Sequence, residues 1–438
     1  MSQFGSAQLT AAFIDLATGD NVDAGLYGGE QAISYLTRDI KKSSWITQIP
    51  VPLRAESSNS ANPSWKAARS ADFMTKAWMR WATPAVSINP DLKDEAKNYR
   101  IAWTYNLGHN VIKKGALMFN DLELQTFDRY WLDMHATHFT QEGKLKLYNQ
   151  MIGNVPALVE FSDSLPSENI MTPQPYYFAG ATSNALALCC LSLNDVRFVY
   201  DLESDLSKLL RVQKFNKATK QWEDFVPGSM SSIVKVQGQS DFTLKMPEFW
   251  AQYVIVTNDE REYHTGQERD VVIEQVQKYD SIKKQGSGTV KLDFHFNYPV
   301  KALFWNAVNT TAEDLHNFSN YTTDASDADS GSDPVTHVSL FYENNPRCEN
   351  VPADHFSMME SWNNLPVGTM QTGYHSLVYA LDITSPDGTG STNYSKLSVS
   401  LTNQIADVAG NYYKVVLRAL TINIFRMSQG AVSFPSFL

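Results

Sequence analysis

The chain has 438 residues, of which 43% are apolar and 12% aromatic, so it can form more than one hydrophobic core and is not intrinsically disordered. Its formal net charge is −11 and no run of Lys or Arg exceeds two residues, which argues against direct binding to nucleic acid. The length favours two all-β domains, because such domains commonly reach about 200–250 residues.

The N-terminal residues MSQFGSAQLTAAFIDL lack the basic start and apolar core of a secretory signal. No apolar stretch of about 18 uncharged residues follows. The three cysteines, Cys189, Cys190 and Cys348, are an odd number and cannot all pair within one chain, which favours a reducing compartment. We therefore expect a soluble protein that is made in the cytosol.

Two histidines, His135 and His138, are the nearest approach to a metal-binding cluster. A helix would bring them to one side, whereas a strand would place them on opposite faces. We expect ordinary polar surface here rather than a metal site.

A short helix is predicted just past the middle of the chain. Thr257 and Glu260 have capping-box spacing, and Gly266 supplies a C-terminal stop. Apolar, strand-like runs at 250–256 and 271–276 flank this helix, so it can connect two β-sandwiches. The expected divisions are an N-terminal arm (1–42), a first sandwich (43–257), a linker helix (258–267) and a second sandwich (268–438).

Alternation of apolar and polar residues dominates the second half. Residues 290–296 and 396–402 each place apolar side chains on one face only, as expected for antiparallel strands. Across 414–427 the apolar set changes parity, which requires either a bulge near Ala419 or burial on both faces. In addition, ALMFN at 116–120 resembles ALFWN at 302–306, a weak sign of duplication.

An Asn-, Asp- and Ser-rich region over 306–335 contains two kinds of candidate site. Four aspartates could gather around calcium, but the spacing and terminal Glu of an EF-hand loop are missing, so a solvated loop tip is predicted. The aspartates are Asp324, Asp327, Asp329 and Asp333. Four Asn residues begin N-x-Ser/Thr triplets, and the sequence leaves their glycosylation open, although no signal peptide supports it. These are Asn309, Asn317 and Asn320 within this region and Asn393 outside it.

No catalytic signature is present. The chain lacks a phosphate loop, a dinucleotide-binding glycine motif, a G-x-S-x-G elbow, an H-E-x-x-H helix and a C-x-x-C pair. The aromatic runs at 78–81 and 128–131 could stack sugars or bases, but in a large β protein we expect core or subunit interface. The sequence therefore names no catalytic, cofactor-binding or metal-binding residue, and we expect no enzyme and no cofactor.

Ten segments, in chain order, resemble one known family. They lie at 13–53, 110–122, 127–130, 148–154, 253–261, 273–277, 300–304, 373–375, 390–396 and 430–435. Together they resemble the iridovirus-type major capsid proteins, which belong to the double jelly-roll family of large icosahedral DNA viruses. Residues 215–247 and 324–335 depart from the family and are expected to be variable surface loops.

The resemblance implies an all-β double jelly roll: two eight-stranded antiparallel β-sandwiches side by side, with a few short helices. It also implies a homotrimer that forms a pseudo-hexagonal capsomer, with many capsomers tiling an icosahedral shell. The arm would face the capsid interior, near minor capsid proteins and an internal viral membrane, with an amphipathic piece near 20–37. The protein would be made and assembled in the host cytoplasm and reside in the virion.

We predict that 306–335 forms an exposed tower, because strands perpendicular to a shell place their long connecting loops outermost. The alternative function is a β-sandwich carbohydrate-binding protein, a lectin, and a second rival is a glycoside hydrolase that uses two carboxylates.

Overall fold

The computed structural model describes residues 3–30, 32–34, 36, 40–239, 241–282, 285–368, 371–407 and 409–434. Parts of the predicted arm (1–2, 31, 35 and 37–39) and the predicted C-terminal residues 435–438 lie outside these ranges. The chain divides into two units, residues 1–45 and residues 46–438.

The first unit contains two helices, α1 (Gln3–Ala17) and α2 (Asn21–Leu26). The Asp20 carboxylate caps α2 by accepting from the N–H groups of Val22 and Asp23. The amphipathic segment predicted near 20–37 is therefore helical only over α2 within the described residues, and α1 was not predicted. The part of the chain described here contains no helix long and apolar enough to cross a membrane.

The second unit is built mainly of strands. Its α-helices are α3 (Leu107–Asn110), α4 (Arg129–Phe139), α5 (Glu142–Ile152), α6 (Pro156–Val159), α7 (Asn258–Thr265), α8 (Thr310–Asp314) and α9 (Glu360–Asn364). A π-helical turn (His355–Met359) precedes α9, and 3-10 turns lie at Pro90–Asn98, Tyr177–Ala179, Thr182–Asn184, Leu188–Cys190, Leu206–Leu209 and Met230–Ser232.

The strands of the first half are β1 (Ile46–Pro52), β2 (Arg54–Ala55), β3 (Ser64–Lys66), β4 (Phe73–Ala82), β5 (Val86–Ile88), β6 (Tyr99–Trp103), β7 (Ile112–Phe119), β8 (Leu122–Phe127), β9 (Ser164–Leu165), β10 (Asn169–Pro173), β11 (Leu186–Ala187), β12 (Val196–Leu202), β13 (Leu210–Asn216), β14 (Gln221–Asp224), β15 (Val234–Val236) and β16 (Glu248–Val256). Those of the second half are β17 (Arg269–Asp280), β18 (Gly288–Phe294), β19 (Pro299–Asn309), β20 (Val335–Tyr342), β21 (Asn345–Pro352), β22 (Tyr374–Val378), β23 (Thr392–Asn393), β24 (Val399–Ile405), β25 (Tyr413–Ser428) and β26 (Ala431–Ser433).

Each half forms a jelly roll of two facing sheets. In the first half the sheets run β1-β16-β4-β10 and β3-β12-β7-β8, and in the second half β17-β25-β19-β22 and β18-β24-β20-β21. Numbering the eight principal strands of each half along the chain gives the same orders twice, 1-8-3-6 and 2-7-4-5. The predicted double jelly roll is therefore confirmed.

The matching topology corrects one detail of the sequence reasoning. ALMFN begins on β7 and ends one residue beyond it, whereas its echo ALFWN lies within β19. β7 is the fourth strand of its jelly roll and β19 is the third, so the two segments are not structurally equivalent. The two halves do share one architecture, but the match between ALMFN and ALFWN does not pair equivalent strands of the two jelly rolls.

The two alternating strands form as predicted. On β18, Val290, Leu292 and Phe294 are buried while Lys291 and Asp293 are exposed. The second predicted strand begins at Val399 instead of residue 396 and extends to Ile405, with its odd-numbered residues buried. Both belong to a sheet with one solvated face, the usual source of such alternation.

The linker helix is present as α7, and it ends before Gly266 as predicted. Thr257 occupies the N-cap position, but its side chain makes no capping hydrogen bond. The helix thus starts at the expected residue, but the side-chain hydrogen bond of the predicted capping box is not formed.

The change of parity within β25 results from burial on both faces. Its pairing with β17 runs from Arg269–Met427 to Asp280–Val416 without a register shift. Val415, Leu417 and Ala419 face the interior of the second jelly roll, whereas Val416 and Leu420 belong to the core cluster of the first. The bulge lies on β19 at Lys301, opposite Leu420 and Thr421, rather than near Ala419.

The first jelly roll carries the larger insertions. Connections over 83–111, 128–168 and 203–247 contribute two small sheets, β14-β13-β6 and β15-β5-β9, and helices α3 to α6. Because strands from different connections pair with one another, the three insertions form one layer at the same end of the jelly roll.

Candidate functional site

The two jelly rolls meet along the β17-β25-β19-β22 sheet of the second. Phe304 on β19 contacts Trp131 and Phe139 of α4, with ring centroids 5.6 and 6.0 Å apart. Phe425 on β25 contacts Phe119 and Tyr177 of the first jelly roll at 6.1 and 5.8 Å. The core cluster of the first jelly roll therefore extends across the junction onto residues of the second, which also encloses a separate core of its own.

A buried ion-pair cluster crosses this junction. Arg418 on β25 is fully buried, and its Nη2 lies 2.6 Å from Oδ2 of Asp128, the N-cap residue of α4, while its Nη1 lies 2.5 Å from Oδ1 of Asp280 on β17. Burial alone would lower the pKa of the Arg418 guanidinium, but the two carboxylates raise that pKa above its usual range. Burial likewise opposes ionisation of Asp280, yet Arg418 and Lys414 hold the pKa of its carboxyl below the usual range.

A second polar cluster surrounds the buried carboxylate of Asp133. Its Oδ1 accepts from Nδ1 of His109 at 2.7 Å and from Nδ2 of Asn106 at 2.8 Å. Its Oδ2 accepts from the Ser319 hydroxyl at 2.6 Å and from the Tyr321 hydroxyl at 2.7 Å. Two of these hydrogen bonds connect α4 to α3 and its N-cap residue within the first jelly roll, and the other two connect α4 to the 319–321 segment of the second.

The Asp133 cluster contains Ser, His and Asp but cannot work as a catalytic triad. In a triad His takes the proton from the serine hydroxyl and Asp orients His. Here the hydroxyl of Ser319 donates directly to Asp133, and Nε2 of His109 contacts the hydroxyl of Tyr148 at 2.7 Å. Burial, followed by the charge of Asp133, raises the pKa of Tyr148 above its usual range, so this hydroxyl keeps its proton. The cluster joins the two halves and does not activate a nucleophile.

His135 and His138 lie on helix α4, but the predicted polar surface is wrong. His138 is fully buried against Phe304 and Tyr374, with ring centroids at 5.0 and 6.1 Å, and His135 stacks on Phe139 at 5.0 Å. Burial is the main cause that lowers the pKa of His135 to about 4 and that of His138 to about 3. Within the described ranges, no group of three or more His, Cys, Asp or Glu side chains could hold a metal ion.

The predicted tower at 306–335 is also wrong for most of its length. Residues 306–310 and 317 to 322 are mainly buried, and Phe318 exchanges hydrogen bonds with Thr104 in the insertion layer of the first jelly roll. Arg211 donates to the carbonyl of Ser326 at 2.6 Å. The polar composition reflects internal hydrogen bonds instead of solvent exposure.

Three of the four N-x-Ser/Thr asparagines are buried within this segment. The side-chain amides of Asn309, Asn317 and Asn320 donate to backbone carbonyls at 2.9, 2.8 and 2.7 Å. Their nitrogen atoms are therefore not accessible for glycan attachment in the folded chain, whereas Asn393 is exposed.

The aspartates of the loop cap backbone amides. Oδ1 of Asp324 accepts from the N–H groups of Ser326 and Asp327, and Asp333 accepts from the N–H of Val335. This is the chemistry of Asx turns. The interpretation as a loop tip holds only for the exposed residues near 326–332.

The aromatic runs divide between core and surface. Trp81 and Trp131 are buried in the core, as predicted. Trp78 stacks on Trp250 across β4 and β16, with centroids 6.3 Å apart, on the outer face of the first sheet. In the insertion layer, Tyr99 and Phe225 line an open cavity of about 490 Å³, but the Lys214 ammonium lies 5.6 and 5.4 Å from their ring centroids. Their faces are thus partly covered by a cation and do not form a free platform for sugar stacking.

Large apolar side chains are exposed in several places. Trp362 on α9 is 80% exposed, and Met358 and Met359 in the adjoining π-helical turn are 64% and 52% exposed. In the N-terminal unit, Leu9 and Phe13 of α1 are 62% and 67% exposed. Exposed apolar clusters of this kind are typical of surfaces that contact a partner.

Sequence reasoning did not find the junction residues. Arg418 and Asp128 are 290 residues apart, and Ser319 and Asp133 are 186 apart. One local signal was available: a long strand that is apolar on both faces and carries a central Arg must be covered on both sides and must supply the Arg with a counter-charge.

Comparison with known proteins adds independent information. The family model described as major capsid protein N-terminus matches residues 34–256, and the model described as large eukaryotic DNA virus major capsid protein matches 260–433. The chain is 32% identical to the major capsid protein of Invertebrate iridescent virus 6, covering 98% of this chain and 99% of the relative. It is 31% identical to that of Lymphocystis disease virus 1, covering 99% and 100%. Among solved structures, the Faustovirus major capsid protein shares the fold, with a TM-score of 0.73 at 11% identity over 94% of this chain and 95% of that one.

Proposed function

Because the chain belongs to the family of major capsid proteins of large eukaryotic DNA viruses, we propose that three copies form a pseudo-hexagonal capsomer and that such capsomers tile an icosahedral shell. The protein is a structural component of the virion capsid, as its relatives are, and not an enzyme. This family assignment takes precedence over the lectin and glycoside hydrolase alternatives.

One structural observation carries the proposal of a capsomer. The two jelly rolls have the same sheet order and share a core, so a chain presents two similar units in a fixed arrangement. Three such chains around a threefold axis place six similar units in a ring, which is a natural way to fill hexagonal positions with a trimer.

The finer divisions of the chain form part of this proposal. We assign an arm to residues 1–42, the first jelly roll to 43–257, the linker helix to 258–267 and the second jelly roll to 268–438. The arm would face the capsid interior, near minor capsid proteins and an internal membrane. Support comes from α1, whose exposed Leu9, Phe13 and Leu16 need a covering partner. The net charge of −11 supports the absence of direct contact with nucleic acid, and synthesis and assembly would take place in the host cytoplasm.

The native mass of the purified protein tests whether three copies associate into a trimer. Light scattering during size exclusion should give three times the chain mass of 49.2 kDa, and electron microscopy of concentrated trimers should show hexagonal arrays. A well-folded monomer at micromolar concentration contradicts the capsomer proposal. A glycan array run on that same monomer would then show whether it binds sugars saturably, as the lectin alternative requires.

A further inference from the structure

Cys189 and Cys190 form a pair of adjacent free thiols on the surface of the first jelly roll. They end a 3-10 turn (Leu188–Cys190), and both are about half-buried. Their Sγ atoms are 3.8 Å apart. The third cysteine, Cys348, lies on β21 of the second jelly roll and is also a free, half-buried thiol.

The surroundings of the pair make its two sulfur atoms unequal. Hydrogen bonding from Cys189, followed by the charge of Arg269, lowers the pKa of Cys190 to about 7 against the opposing effect of burial. The same hydrogen bond and burial raise the pKa of Cys189. Near neutral pH, Cys190 is therefore partly ionised to the thiolate, whereas Cys189 keeps its proton. In its protonated form, Cys190 donates to the carbonyl of His264 on α7 at 3.3 Å.

We propose that Cys189 and Cys190 form a thiol–disulfide exchange site that closes to a vicinal disulfide when it meets a small disulfide such as oxidised glutathione. Cys190 attacks one sulfur of the oxidant, forming a mixed disulfide and releasing one glutathione thiolate. Cys189 then loses its proton and attacks Sγ of Cys190, which forms the Cys189–Cys190 bond and releases the second glutathione. Two protein thiols are oxidised and one glutathione disulfide is reduced to two thiols.

Geometry favours this reaction over metal binding. A dithiol that bound a metal ion would need further ligands, and the described part of the chain offers no cluster of three or more candidate ligands. Closure requires that two sulfur atoms 3.8 Å apart approach to bonding distance and that the bond between them tolerates a strained geometry. Adjacent Cα atoms are about 3.8 Å apart, closer than in ordinary disulfides, so we expect a bond that dithiothreitol reduces easily.

Closure would also act on the linker helix. The disulfide removes the sulfhydryl proton that Cys190 can donate to the carbonyl of His264. That carbonyl belongs to the last turn of α7, where backbone acceptors lack intrahelical partners. The oxidised protein should therefore show faster amide hydrogen exchange over the last turn of α7 than the reduced protein.

The experiment treats the full-length protein with oxidised glutathione at neutral pH and follows intact mass under denaturing, acid-quenched conditions. Wild type should lose two hydrogens with no lasting adduct and recover on adding dithiothreitol. Cys189→Ser should retain one glutathionyl group on Cys190, because the resolving thiol is missing. Cys190→Ser should react about tenfold more slowly, and Cys348→Ser should behave like wild type.

Three results would overturn the proposal. They are a stable glutathionyl adduct on wild type, faster reaction at Cys348 than at Cys190, and a disulfide that joins two chains, visible as a doubled mass. The rate for wild type should also rise with pH around a midpoint near 7, and a midpoint near 9 would contradict the assignment of Cys190 as the attacking sulfur. None of these measurements depends on whether the chain forms trimers.

Discussion

Arg418 illustrates how much of the junction depends on one side chain. Its guanidinium bridges Asp128 of the first jelly roll and Asp280 of the second and also donates to the carbonyl of Leu417 at 2.8 Å. A charge that is buried this deeply is tolerated because its donors are satisfied. Removing it leaves the buried carboxylate of Asp128 without its counter-ion and leaves Asp280 with Lys414 alone.

We predict that Arg418→Met lowers the free energy of unfolding by about 3–5 kcal/mol, because breaking a buried pair strands the opposite charge. Urea denaturation of the purified variant measures this. Arg426→Met is the matched control on the same strand, since Arg426 pairs with Asp270 at the solvent-exposed surface and should change stability far less. Equal losses in the two variants would contradict the role given to Arg418.

The buried histidines predict sensitivity to acid. The pKa of His138 is about 3 in the folded chain and 6.5 when unperturbed, so the unfolded chain binds more protons below pH 6.5. Stability is thus fully present above pH 6.5 and is lost as the pH falls towards the folded value. Between pH 7 and 5, one such histidine costs about 2 kcal/mol.

His138→Phe should therefore remove about 2 kcal/mol of the stability difference between pH 7 and pH 5. Urea unfolding at the two pH values gives the comparison. The exposed His295 provides the control, because His295→Phe should leave the pH dependence as in wild type. An unchanged pH dependence in His138→Phe would mean that this histidine does not limit acid stability.

At the scale of elements, the bulge on β19 explains a buried lysine. The extra residue, Lys301, is fully buried, and its Nζ contacts Glu274 at 2.6 Å and the carbonyls of Ile383 and Ser385 at 3.0 and 2.9 Å. A bulge redirects one side chain and shifts the pairing register of the strand by one residue. Here it lets the lysine fix the loop that follows β22.

Lys301→Met should lower the free energy of unfolding by about 1–3 kcal/mol, because two carbonyls and one carboxylate lose their donor. It should also speed hydrogen exchange in residues 381–391, as measured by mass spectrometry. Lys291→Met, which removes an exposed lysine from neighbouring β18, is the control. Unchanged exchange in that loop would show that Lys301 does not fix it.

The elements that the sequence predicted best are those with one solvated face. β18 and β24 alternate cleanly because solvent lies on one side and core on the other. The same alternation could not predict the environment of β25, because the second face of this strand packs against the first jelly roll through contacts distant in sequence. The exposure predicted for 306–335 was wrong because polar residues there are buried: Asn317 and Asn320 donate hydrogen bonds to internal carbonyls.

At the scale of the molecule, the two halves have the same topology but unequal roles. The first carries the insertion layer, whereas the second contributes the sheet that is buried on both faces. The family resemblance could be read from sequence because it is spread along the whole chain. The residues of the junction between the two jelly rolls were harder to predict from the sequence, because they come together only when both jelly rolls are folded.

A shared core predicts cooperative unfolding. Calorimetry of residues 46–438 should show one heat-absorption peak with equal calorimetric and van't Hoff enthalpies, because neither half can unfold without exposing the junction. Phe425→Ala should lower the midpoint of the whole transition. Two resolved peaks, or a Phe425→Ala effect confined to one of them, would show that the halves unfold independently.

The packed junction between the two halves also has a mechanical consequence. Close-packed protein interiors resist compression and transmit strain, so a chain whose two halves are joined by a close-packed junction behaves under load as a single stiff block. When pressure inside the shell changes or its surface is indented, bending should concentrate at the seams between neighbouring chains, where the surface can open or close without breaking a core.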